Sequence, residues 1–165
     1  MKPLRFLLPV VLLGLSTAAF AQSDAQKSFE NLKNLAGSWE GTVDGKPMHA
    51  TLRVTSMGNA LVHEMTMGGR PDDPITMFYV DGDRLLLTHY CDAGNRPRMT
   101  ATMSPDGKTV EFNFLDVNNY NPAQGGYMQH AVFTTVDANH HTEDWTFFMA
   151  QGKPMDVHVA LQRTK

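Results

Sequence analysis

Cysteine is almost missing from this sequence: Cys91 is the only one in 165 residues. No intrachain disulfide can therefore form in any redox compartment, and stability has to come from core burial. Runs of cations are missing too. With 14 Lys and Arg against 17 Asp and Glu and a net charge of -3, the chain has no basic cluster for nucleic acid or an anionic membrane surface as its main partner. Past Leu15 no dense apolar run recurs, so no second segment is suited to span a bilayer as a helix. Hydrophobic residues make up 42%, charged residues 19%, and mean hydropathy is -0.30, which excludes both a polytopic membrane protein and a disordered polyelectrolyte. A nucleophilic-serine motif, a phosphate loop, a dinucleotide fingerprint and an H-E-x-x-H pair are all absent, which disfavours covalent hydrolysis and favours a binding protein over an enzyme.

What is present begins with a leader. Met1 to Ala21 carries Lys2 and Arg5, an apolar run from Phe6 to Leu15, and the small-residue pattern Ala19-Phe20-Ala21. This is the pattern of a secretory signal peptide, and no cysteine follows it to carry a lipid. Its removal leaves residues 22–165 and takes the net charge from -3 to -5, since Lys2 and Arg5 are lost. An exported protein, periplasmic or secreted and without a membrane anchor after cleavage, is expected.

After the leader, turn chemistry recurs at short, even intervals from Asp44-Gly45 to Gln151-Gly152. Nine such turns separate ten runs rich in Val, Thr, Phe, Tyr and Met, most of them too short to be stable helices. The spacing predicts an all-β antiparallel up-and-down barrel of about ten strands, since closure removes exposed sheet edges; a two-sheet sandwich is the alternative. Residues 22–36 form an N-terminal segment in which Phe29, Leu32 and Leu35 suggest a short helix or 3₁₀ turn between Ser28 and Gly37, closing one barrel end. Residues 37–165 make the barrel. The longest irregular stretch, Asn118 to Gly126, is a candidate lid.

Strand parity then sorts side chains. Between Ala60 and Met67 the inward set is Leu61, His63, Met65 and Met67. From Thr109 it is Val110, Phe112 and Phe114, and from Thr142 it is Glu143, Trp145, Phe147 and Met149. The run Arg84 to Cys91 is apolar on both faces, which leaves its orientation, and that of His89, open. Glu143 beside Trp145 is either a carboxyl in an apolar setting with a raised pKa, fit for general acid or base work, or a group at a wet rim. His63, His89, His130 and Cys91, with ten methionines after the leader, are donors that suit zinc or copper, but no pair has the tight spacing of a zinc motif, and no metal site is assigned. His140-His141 reads as part of a turn. Cys91 precedes Arg96 and Arg98, which would either lower its pKa or meet an anionic ligand group at the barrel mouth.

Gly37-Ser38-Trp39-Glu40-Gly41 at the first strand and Leu161-Gln162-Arg163 at the last resemble the lipocalin and calycin pattern. That resemblance implies that Trp39 lies across the closed end of the barrel with Arg163 packed over it, as a structural pair. The opening G-x-W-x-G is also similar to that of nitrobindins, which implies a haem cofactor, chemistry on reactive nitrogen or oxygen species, and a histidine ligand from the last strands. His158 is the position that matches, on the opposite parity from Val157, Val159, Leu161 and Arg163. The closer resemblance is to secreted bacterial lipocalin-like domains of uncharacterised activity. The expected function is therefore interior binding of a small, largely apolar molecule. Met65, Met67, Phe112, Phe114, Trp145 and Phe147 are expected as wall, and His63, His89, His130 and Glu143 as polar contacts. A haem-binding barrel is the second expectation. A filled scaffold that presents Asn118 to Gly126 to another envelope protein is the third.

Overall fold

The computed structural model describes residues 22–69 and 73–164; the signal-peptide assignment lies outside them. One helix precedes ten strands: α1 (Asp24–Lys33), β1 (Gly37–Val43), β2 (Lys46–Thr55), β3 (Ala60–Met67), β4 (Ile75–Asp81), β5 (Arg84–Tyr90), β6 (Arg96–Met103), β7 (Thr109–Asn118), β8 (Tyr127–Asp137), β9 (His140–Phe148) and β10 (Met155–Arg163). Each strand pairs antiparallel with its neighbours in sequence, and β1 closes on β10, giving the up-and-down barrel that the turn spacing predicts. Among the described residues no helix is long and apolar enough to cross a membrane.

The helix begins earlier than the apolar period suggests. The Ser23 side chain accepts a hydrogen bond from the Gln26 backbone N–H, and the Gln26 side-chain carbonyl accepts one from the Ser23 N–H, a reciprocal cap that starts the helix at Asp24. Its buried face, Ala25, Ser28, Phe29 and Leu32, plugs one end of the barrel. Asn31 fastens it there by donating to the Gly107 carbonyl at 2.8 Å. At that closed end the Trp39 indole N–H donates to the Leu35 carbonyl at 2.8 Å, and the Arg163 guanidinium lies 4.1 Å from the ring centre. Arg163 also donates to the carbonyls of Asn34, Ala36 and Ala138, so it ties the helix exit and the β8–β9 turn to the last strand. Burial and these bonds make the pair a structural seal; a cation over an indole contributes ~0.5–2 kcal/mol, depending on desolvation.

Gly41 explains the second glycine of G-x-W-x-G. A Cβ there would come within 2.6 Å of the Ala160 carbonyl oxygen across the β1–β10 seam. Only a residue without a side chain lets the two strands approach closely enough to close the barrel.

Three register irregularities interrupt the simple alternation, one of them leaving Val136 extra beside the β8–β9 turn. Opposite Arg98 and Met99 on β6, strand β7 uses Asp116 and then Phe114, leaving Leu115 as an extra residue. Opposite Thr146 and Phe147 on β9, strand β8 uses His130 and then Met128, leaving Gln129 extra. Each extra residue shifts the pleat, so side-chain parity changes along the strand.

Candidate functional site

The barrel interior is layered. Leucines dominate the closed half: Leu32, Leu35, Leu52, Leu61, Leu85, Leu87 and Leu161 are all in the buried core. Phe78, Phe112 and Phe133 form a tight aromatic group in the core, with ring centres 5.3 to 6.1 Å apart. The orientation of β5 left open by sequence resolves here, since Leu85, Leu87 and His89 are buried and the two leucines join the core.

Next to the aromatic group lies a fully buried polar network built from β3 and β9. Glu143 accepts from the Trp145 indole N–H at 3.0 Å through one oxygen. Its other oxygen meets His141 Nε2 at 2.9 Å and His63 Nε2 at 3.1 Å. The His63 contact is close but poorly aligned for a hydrogen bond, and His63 Nδ1 and His141 Nδ1 have no partner among the described residues. The His141 ring also meets the edge of Trp39, 4.2 Å between centres, so the closed-end seal and the network are continuous.

This network corrects two sequence expectations. Burial alone would raise the Glu143 pKa, but the charge interaction and N–H groups of His63 and His141 outweigh it and hold the carboxyl well below its ordinary range. Glu143 is thus an anion that accepts hydrogen bonds, not a carboxylic acid poised to donate a proton. His141 is a β9 residue buried on the inner face rather than a turn residue, because β9 starts at His140. Shared parity with Glu143 and Trp145 was the signal that identifies it.

Above Trp145 the side chains stop filling the barrel. A cavity of about 280 Å³ opens between the strand ends. Met65, Met67, Trp145 and Phe147 line it, in agreement with their inward assignment, as does His89, whose orientation the sequence leaves open, and Met48, Met128, Cys91 and Val157 add to the wall. The His89 ring is buried and held through Nδ1 by the Thr76 hydroxyl at 2.8 Å, with Trp145 beside it at 5.6 Å between centres. Cys91 sits at the wall with intermediate exposure.

Five of the expected site residues lie elsewhere. His63 is one layer down, stacked behind Trp145 with 6.0 Å between ring centres. Glu143 is below Trp145 as well, and Phe112 belongs to the aromatic group of the core. Phe114, beside the β7 bulge, is 41% exposed and stacks on Tyr127 instead of lining the cavity. His130 stands on the outer face by ordinary alternation with buried Ala131, paired with Glu111 at 2.9 Å. Arg98 is likewise engaged outside, forming a bidentate pair with Asp116 rather than facing a ligand. The segment Asn118 to Gly126 is fastened at both ends: Asn119 donates to the Gly94 carbonyl, and Asn95 donates to the Gly126 carbonyl.

The residues present do not fit haem as the nitrobindin resemblance implies. His158 stands on the outer face of β10, its side chain 62% exposed and its Nδ1 2.5 Å from Asp144 Oδ1.

No family model matches the chain, and no curated protein matches it. Among solved structures, the barrel is similar to Rv2717c from M. tuberculosis, with a TM-score of 0.60 and 15% identity over 84% of this chain and 98% of that one. It is also similar to a protein of unknown function from the DUF3598 family of Nostoc punctiforme, with a TM-score of 0.53 and 11% identity over 81% of this chain. This chain spans about half of that longer protein, 49%. At these identities the likeness shows the fold: a ten-stranded antiparallel barrel shared with structural neighbours whose names assign no activity.

Proposed function

We propose that the protein is an exported, lipocalin-like binding barrel that takes up one small, largely apolar molecule at its mouth. The observation that carries this reading is the contrast between the two halves of the interior. Side chains fill the closed half, whereas the mouth half holds a cavity of about 280 Å³ walled by thioether, aromatic and aliphatic groups. An apolar cavity of about 150 Å³ accommodates a benzene ring, so this one suits a molecule of about two fused rings or a short branched chain. His89 and Cys91 are polar groups in the wall that would orient such a guest, which is how apolar sites gain selectivity.

Two measurements test the proposal. Native mass spectrometry of protein purified from its own host should reveal a bound small molecule. Titration with a neutral naphthalene dye should give saturable fluorescence enhancement that a cavity-filling Met65→Trp variant, still folded by thermal melting, loses. Non-saturable uptake, or uptake that Met65→Trp leaves intact, contradicts the reading.

A further inference from the structure

The mouth cavity has a composition that apolarity alone does not explain. Met48, Met65, Met67, Met128, Met149 and Met155 all line it, six of the eleven methionines in the chain. Leucine and isoleucine fill apolar space as well as methionine does, yet among the described residues neither occurs on this wall. The leucines are gathered instead in the closed half of the same barrel. What methionine offers and leucine lacks is a polarisable thioether sulfur.

The sheet register brings three of these methionines onto one stretch of wall. Met48 on β2 and Met67 on β3 are direct cross-strand partners, and Met65 lies two residues along β3 on the same inner face, opposite Ala50. Direct partners place their Cβ atoms about 4.5–5.5 Å apart, within easy reach of long, flexible side chains converging on one point. Met48 and Met65 are almost fully buried, at 1% and 6% exposure, whereas Met149 and Met155 at the rim are 37% and 53% exposed. Thioethers therefore run from solvent to the cavity floor.

We propose that this wall is a binding site for a soft monovalent cation, copper(I), held by Met48, Met65 and Met67, with Met149 and Met155 as the entry. Thioether ligands are neutral, need no deprotonation, and favour soft d¹⁰ ions over zinc, magnesium or calcium. The cavity offers the harder ions nothing comparable: among the described residues no three His, Cys, Asp or Glu side chains form a metal-holding group. The inference goes beyond uptake of an apolar guest and does not depend on it.

The test is an anaerobic titration of the purified chain with copper(I) against a chromophoric copper(I) chelator. One equivalent should be withdrawn from the chelator, silver(I) should compete for it, and zinc(II) should not. The Met48→Leu/Met65→Leu/Met67→Leu variant keeps side-chain volume and apolarity, so it should retain its melting temperature and its naphthalene-dye uptake while losing copper(I) affinity by about tenfold or more. Met57→Leu, at a fully exposed position, should change nothing. If the wild-type chain fails to withdraw copper(I), or the triple-leucine variant withdraws it equally well, or Cys91→Ser alone abolishes it, the thioether site is overturned. Dye uptake lost with copper(I) binding retained would contradict the apolar-carrier reading and leave this one standing.

Discussion

Glu143 is the residue whose chemistry reaches furthest, because it is a carboxylate with no exposed surface, held by groups from two strands. Removing its charge while keeping its shape, as in Glu143→Gln, replaces an acceptor of His141 and Trp145, with His63 close beside it, by an amide that also needs acceptors of its own. The cost is expected to be about 3–5 kcal/mol at neutral pH, in the range for breaking a buried charged pair. Its pH dependence has a defined sign. The folded-state pKa is depressed, so the carboxylate contributes stability above the ordinary value of 4.5 and loses it as pH falls from there toward the lower folded value. Urea midpoints measured from pH 7 to pH 3 should therefore fall more steeply in the wild type than in Glu143→Gln; parallel curves would contradict the depressed pKa. The two tryptophans separate in the same way. Trp39→Ala removes a fully buried ring under Arg163 and should cost ~3–5 kcal/mol, read as a large drop in melting temperature. Trp145→Phe keeps a ring in the cavity wall but removes the N–H that Glu143 accepts, so a loss of ~1–3 kcal/mol is expected. A Trp39→Ala protein that keeps its melting temperature would contradict the seal at the closed end. Parity in the sequence places His63, Glu143, Trp145 and Phe147 inward, but not the pairing of His63 with Glu143, because His63 comes from a strand 80 residues earlier in the chain.

At the scale of elements, strand number, order and direction are legible because every hairpin carries its own turn residues, and each of the nine predicted turns coincides with a strand connection, four of them overlapping a strand end at Asp81, Arg96–Pro97, Asn118 and Asp137. The bulges are not legible. Nothing in Phe114-Leu115-Asp116 or Met128-Gln129-His130 distinguishes an extra residue from a regular one, since a bulge is set by the register of both strands together. Phe114, expected inside by parity, lies beside the first of them and is 41% exposed, whereas His130 stands outside by ordinary alternation with buried Ala131. The helix start was readable in principle from Ser23-Asp24-Ala25-Gln26, a capping pattern lying ahead of the apolar period. The β1–β10 seam is the element most exposed to a single substitution, because its register consists of Trp39 opposite Arg163 and Glu40 opposite Gln162. Gly41→Ala should force the strands apart at Ala160, lowering the melting temperature and speeding hydrogen exchange in β10 while β4–β7 amides stay protected. Uniform exchange across the barrel would show that the seam does not open by itself.

For the whole molecule, the barrel combines a sealed half and an open half, and the sequence distributes leucine to the first and methionine to the second. The closure into ten strands follows from composition and turn spacing; the cavity does not, because an interior void depends on how every inward side chain fills the layer around it. The central claim, that a small apolar guest occupies the mouth, is tested most directly by methyl NMR of methionine-labelled protein titrated with naphthalene. Met48, Met65, Met67 and Met128 should shift in a saturable manner, while exposed Met57 and the closed-end Met103, beside Asn31, stay fixed. Shifts confined to Met57 and Met103, or no saturable shift at any methionine, would contradict the account.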